Sequence, residues 1–169
     1  VGRHGDTAQA VASAFVEFNA GIIDAVSGRC AVVKPQVACY EAYGSAGWDA
    51  LAATVDAAHS AGIPVIVDAK RGDIGSTAAQ YALALYDALG ADALTASPYL
   101  GSEAIAPLLD RPDRFVYLLC RTSNPGALEL QGLVVAADAA SGAPAARTRM
   151  TMTPTPCSRI TCPSTAQRS

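Results

Sequence analysis

The stretch VIVDAKRGDIGST, residues 65–77, runs from apolar residues straight into Asp68, Lys70, Arg71 and Asp73. In extended backbone, side chains two positions apart project to the same side, so Asp68 and Lys70 are set to meet as an ion pair. Lys34 ends another apolar run, CAVVK. Asp73 lies beyond the turn that Gly72 makes and points either into the same site or away from it. An alternating Lys–Asp–Lys–Asp chain keeps two ammonium groups charged and two carboxylates ionised. It can offer a proton from a lysine while holding a fixed negative charge beside it. A charged hexapeptide is more often a solvated turn. What argues against that here is its place in the chain.

The surrounding elements set that place. Asp6 or Thr7 caps a helix to about Ser27, with Ala8, Val11, Phe15, Phe18, Ile22 and Val26 forming one apolar stripe. CAVVK, residues 30–34, is expected as a short buried strand. A loop or short helix follows Pro35, then a helix over 48–61 stopped by Gly62. Residues 64–68 make the next strand, 76–89 a helix stopped by Gly90, and 92–97 a strand. Residues 102–109 make a helix and 114–120 a strand. Apolar strands alternating with helices imply a parallel sheet covered on at least one face. No G-x-G-x-x-G follows any strand, which removes the main dinucleotide-binding signature. Polar residues close each strand: Lys34; Asp68, Lys70 and Asp73; Ser97-Pro98-Tyr99; and Arg121-Thr122-Ser123-Asn124. A (β/α)8 barrel builds its active site from such strand ends. The reading is therefore α/β, a partial (β/α)8 TIM barrel of about four to five βα units.

The whole chain bounds the alternatives. It has 169 residues, 51% of them hydrophobic, with a net charge of −3 and a pI near 5.2. That balance argues against a nucleic-acid surface, which needs a basic stripe. No apolar run reaches the roughly 18 residues of a membrane span. The N-terminus shows no signal peptide, and its opening Val suggests that the true start is missing. Five scattered cysteines read as reduced thiols of a cytoplasmic protein. Cys39 and Cys120 read as small core residues, His4 and His59 as isolated surface residues, and Trp48 and Tyr81 as packing helices onto the sheet. Cys157 and Cys162 have no nearby His, which argues against zinc. From Gly142 onward the chain lacks acidic residues and apolar periodicity. Residues 1–132 are read as the barrel domain and 133–169 as a disordered or non-native tail.

Asp-x-Lys-x-x-Asp after a strand, with AVVKPQVACYEAYGSAGW, DALTASPYLG and RTSNPGALELQ, resembles the orotidine 5′-phosphate decarboxylases, in particular their longer-chain bacterial branch. The resemblance covers roughly residues 7–132. The Asp-x-Lys-x-x-Asp motif alone also fits sugar-phosphate decarboxylases of the same superfamily, and the Lys-Pro-Gln, Ser-Pro-Tyr-Leu-Gly and Thr-Ser-Asn-Pro-Gly segments favour the former. The resemblance implies conversion of orotidine 5′-phosphate to UMP in pyrimidine biosynthesis, with no cofactor or metal, in a cytoplasmic homodimer. It implies that Lys70 protonates C6, that Asp68 faces the substrate carboxylate, and that Lys34 links the charges to the ribose. Asp73 completes the neighbouring subunit's site, accompanied by Ile74 and Thr77, and Ser123 contacts the pyrimidine.

The chain also departs from that family. A first strand ending in a ribose-binding Asp is expected before residue 1. The phosphate-gripping units expected after Gln131 are not matched, and neither Arg147 nor Arg149 follows a strand or Gly-rich turn that would supply one. The chain thus reads as truncated or frame-shifted and is expected to have low or no activity by itself. Two rival readings are a metal-dependent lyase of the same superfamily and an inactive fragment that only associates with itself or a partner.

Overall fold

The structure, a computed structural model, describes residues 7–133. Thr7 caps the first helix, α1 (Ala8–Val26), its hydroxyl accepting a hydrogen bond from the Ala10 amide at 3.2 Å. Helix α1 packs on α3 (Gly44–Ser60). The stripe it buries is rotated from the expected one. Ala12 and Ile23 are buried, with Phe15 and Val26 partly so, whereas Ala8, Phe18 and Ile22 are exposed. Asn19 explains the rotation. Its amide donates to the Tyr40 hydroxyl at 2.7 Å and to Thr54 Oγ1 at 3.0 Å. A satisfied polar side chain thus occupies a face that an apolar count assigns elsewhere.

The segment expected as a first strand forms two separate parallel bridges, Val33 to Val65 and Gln36 to Asp68. Val33 N donates to Pro64 O, Ile66 N to Val33 O, and Asp68 N to Pro35 O. The missing rung is the one Pro35 would donate, and proline has no N–H. Nor is the segment buried, since Ala31, Val32 and Lys34 are exposed. Helix α2 (Val37–Glu41) follows at once, and α3 begins four residues before its expected start at Trp48.

The strands β1 (Ile66–Arg71), β2 (Ala93–Ala96) and β3 (Phe115–Leu118) form a parallel sheet in the order β1-β2-β3. Val67, Leu94 and Val116 are in register and face the helices. Asp68, Thr95 and Tyr117 take the opposite face. Between the strands lie α4 (Gly75–Ala82), continued by a π-helical segment (Leu83–Ala88), and α5 (Ser102–Leu109). The wider turn of the π segment buries both Leu85 and Tyr86, and the Tyr86 hydroxyl reaches Phe115 O at 2.9 Å. At the opposite end of the sheet from Lys70, Asp92 accepts the Val65 amide at 2.8 Å and lies 2.9 Å from His59 Nε2. His59 is therefore paired rather than isolated. Cys39 and Cys120 are exposed, contrary to a core role. Trp48 packs against the core, and Tyr81 is half-buried.

The described residues fall into two compact units, one ending at Leu119 and the other starting at Cys120. The second contains α6 (Ala127–Gln131). Within it Gln131 braces a turn: its Oε1 accepts the Thr122 amide at 2.8 Å and its Nε2 donates to Thr122 Oγ1 at 2.9 Å. His4, Arg147, Arg149, Cys157, Cys162 and all but the first residue of the expected 133–169 tail lie outside the described residues.

Two glycines separate close approach from helix propensity. A Cβ on Gly47 would stand 1.8 Å from the Tyr40 carbonyl oxygen, so α2 and α3 meet only because Gly47 has none. A Cβ on Gly21, inside α1, would meet nothing within 4 Å. Gly47→Ala is expected to destabilise the chain by about 3 kcal/mol or more, and Gly21→Ala to stabilise it by about 0.5–1 kcal/mol. Urea denaturation of the three proteins checks both signs.

Candidate active site

The site is built on one carboxylate. Asp68 is 5% exposed, in the middle of β1 on the face turned away from the helices. Lys34 Nζ donates to its Oδ2 and Lys70 Nζ to its Oδ1. Thr95 Oγ1 donates to Oδ1 at 2.8 Å, and Gln36 Nε2 to Oδ2 at 3.2 Å. The sequence contains two lysines, and both converge on this group. The lysine side chains are half exposed, whereas the carboxylate is buried. Burial by itself would push the Asp68 carboxyl up. Hydrogen bonds from Lys34, Lys70 and Thr95, with the Lys34 charge, outweigh it and lower the group to about 2. At neutral pH the site therefore holds two ammonium groups around a fixed negative charge.

Simple strand alternation does not deliver this arrangement. Lys70 has φ 49°, the left-handed region, and is the one non-glycine residue with positive φ among the described residues. That conformation costs an L-residue roughly 1–2 kcal/mol. The β1–β2 register shifts between Val67 and Arg71, where the kink lies. Its neighbours hold it in place. Lys70 N donates to Thr95 Oγ1 at 2.9 Å, and Ser97 N to Arg71 O at 2.7 Å. Gly72 sits so close to Ser97 that an added Cβ would be 2.7 Å from its carbonyl oxygen. Strand β1 accordingly continues to Arg71, three residues past its expected end at Asp68.

Lys34, Asp68 and Lys70 are thus brought together. Asp73 is not part of that cluster: its Oδ1 accepts the Ile74 amide at 2.7 Å, and among the described residues it forms no ion pair. Ile74 caps α4 and is 56% exposed, and Thr77 lies half-buried in the first turn of that helix. Ser123 belongs to the second unit and is exposed, as is Arg121. Two members of the cluster have no place in the sequence reading. Thr95 interrupts the apolar strand ALTA, and a lone hydroxyl on an inner strand position is a signal in retrospect. Gln36 follows Lys34 by two residues, so the spacing that paired Asp68 with Lys70 also places Gln36 beside Lys34. Among the described residues no group of three His, Cys, Asp or Glu could hold a metal ion.

Comparison with known proteins gives a consistent result. The profile described as "Orotidine 5'-phosphate decarboxylase / HUMPS family" matches residues 17–152. The chain is 52% identical over 124 residues to the orotidine 5′-phosphate decarboxylase of Herpetosiphon aurantiacus, covering 73% of this chain and 46% of that protein. It is 52% identical over 122 residues to that of Natronomonas pharaonis, covering 72% and 45%. The solved OMP decarboxylase of Leishmania donovani superposes with a TM-score of 0.71 at 42% identity, covering 78% of this chain and half of that one. The chain spans about half the length of the curated relatives it matches. Its α/β architecture is that of a partial (β/α)8 barrel.

The lowered Asp68 carboxyl has a thermodynamic consequence. A group whose folded value lies below its unfolded 3.8 stabilises the fold above about pH 4, and that contribution fades as pH falls through about 2. It amounts to about 2 kcal/mol at most. The stability gap between wild type and Asp68→Asn in urea is expected to be constant from pH 7 to pH 5 and to narrow steadily below pH 4. A gap independent of pH down to 2.5 would contradict the network's charge state.

Proposed function

This chain belongs to the orotidine 5′-phosphate decarboxylase / HUMPS family, and on that footing we propose that its Asp68 cluster serves decarboxylation of orotidine 5′-phosphate to UMP. The observation that carries the proposal is the buried, ionised Asp68 held between Lys34 and Lys70. In the proposed reaction the bond from C6 to the carboxylate breaks, carbon dioxide leaves, and the electron pair stays on C6. Lys70 gives C6 a proton and regains one from water. Asp68 holds the Lys70 ammonium in place and sets a negative charge beside the substrate carboxylate. Lys34, on the other Asp68 oxygen, faces the ribose. One carboxylate between two ammonium groups leaves a net local charge of +1, which suits an anionic substrate. The reading assigns no metal or cofactor to this chemistry.

We place the reaction in a cytoplasmic homodimer. In that reading Asp73, Ile74 and Thr77 serve the partner's site, and Ser123 contacts the pyrimidine. The separation of Asp73 from the Asp68 cluster and the exposure of Ile74 are compatible with this. Among the described residues no helix is long and apolar enough to cross a membrane.

A full-length protein carrying these residues is expected to consume orotidine 5′-phosphate, followed by its ultraviolet absorbance, with undiminished rate in the presence of a chelator, whereas the 169-residue chain by itself is expected to show little or no turnover. Lys70→Ala should abolish turnover while ligand binding, read by calorimetry with UMP, changes little, because the proton donor acts in the chemical step. Loss of activity on chelation would favour a metal-dependent lyase instead. For the shared site, inactive Lys70→Ala and Asp73→Ala proteins should regain part of the activity on mixing, since a hybrid dimer contains one intact site. No recovery would mean that Asp73 works within its own chain.

A further inference from the structure

Arg71 is the charge in the Asp68–Asp73 stretch that the proposed chemistry leaves unused. Its guanidinium turns toward the helices. Nη2 donates to Glu41 of α2, and Cζ lies 5.3 Å from the centroid of the Tyr81 ring on α4. Helix α2 follows directly on the Lys34–Gln36 segment, and α4 follows Asp73 and Ile74. One side chain therefore joins the two elements that lead out of the segments carrying Lys34, Gln36 and Asp73. Its own backbone is tied to β2 through the 2.7 Å bond from Ser97 N to Arg71 O. It also adjoins the left-handed Lys70 in sequence.

Stability alone does not account for this residue. The position faces the helical layer, where packing favours an apolar side chain. Arg71 Nε is buried and has no hydrogen-bond partner, a deficit that generally destabilises. Unmade bonds and strained backbone tend to gather where a structure enforces a geometry it would not adopt freely.

We propose that Arg71 is a positioning residue: by gripping Glu41 and stacking on Tyr81 it fixes the end of β1, so that the Lys70 backbone stays left-handed and its ammonium stays on Asp68. The kinetic arm of the test rests on the decarboxylase reading, and the spectroscopic arm does not.

Because the sequence has two lysines, protein labelled with 13C-lysine gives two Cε signals, assigned with Lys34→Arg. A lysine held in an ion pair shows two inequivalent Hε protons, and a freely rotating one shows a single averaged signal. In folded wild type the Lys70 Hε protons are expected to be inequivalent at neutral pH. In Arg71→Met they should collapse toward one. In the full-length protein carrying these residues, Arg71→Met should lower kcat with orotidine 5′-phosphate by about ten- to a hundredfold and change KM by less than about threefold. Arg71→Lys, which keeps the charge but loses the planar fork, should fall between. If Arg71→Met does not fold, Glu41→Gln and Arg71→Lys carry the same two readouts. Inequivalent Lys70 protons with unchanged kcat in a folded variant overturn the proposal, as does a raised KM at wild-type kcat. If the full-length wild type itself does not turn over orotidine 5′-phosphate, the decarboxylase reading fails, and the Hε protons alone decide Arg71.

Discussion

A carboxylate that is 5% exposed and still ionised is the constraint on which the rest of this structure depends. Removing Asp68 from water penalises its charge, and unpaired it would take up a proton. It stays charged because four side chains donate to it: Lys34, Lys70, Thr95 and Gln36. Those donors come from β1, from β2 and from the bridged segment beside β1. Satisfying one carboxylate therefore fixes the relative placement of three neighbouring stretches of backbone. A buried ion pair of this kind is weak evidence for stability, since apolar packing would serve as well. It is better evidence for a site, where a charge must be held in a fixed direction before a substrate arrives.

The backbone accommodates that demand at Lys70. Ordinary strand geometry would set its side chain by alternation alone, but the chain kinks into the left-handed region and shifts the register with β2. Thr95 has a double role in this. Its hydroxyl accepts the Lys70 amide and donates to Asp68, so a single oxygen links the kink to the charge it serves. Gly72 follows because the chain passes the Ser97 carbonyl too closely for any Cβ. The helices on the far face are held by a separate set of contacts, among them Gly47 against Tyr40 and the Asn19 amide between Tyr40 and Thr54.

Local signals carried much of the fold. Thr7, Gly62 and Gly90 marked helix ends that hold in the structure, because capping and left-handed glycines act within a few residues of themselves. Residues 102–109 form the expected helix, and β2 and β3 lie within their expected spans. The misplaced features depend on distant partners. Phe18 and Ile22 are exposed because the face of α1 is chosen by what Asn19 meets on α2 and α3. His59 is paired because Asp92, far off in sequence, lies beside it.

The sequence by itself determined the composition of the site: two lysines, an aspartate after an apolar strand, and a parallel βα order that sends strand ends to one side. Spacing along the strand was enough to nominate Asp68 and Lys70 as a pair, and the repeated βα order to nominate Lys34 beside them, although the backbone that makes the Lys70 contact is not regular strand. The tertiary structure alone decided that Thr95 and Gln36 complete the carboxylate's hydrogen bonds, that Lys70 is left-handed, and that Asp73 stands apart. Each of those outcomes turns on register between strands that are not neighbours in sequence. A shift of one residue turns every side chain of a strand to the other face. Local propensity does not encode that register. Packing of Val67, Leu94 and Val116 under the helices, together with the hydrogen bonds of one buried carboxylate, does.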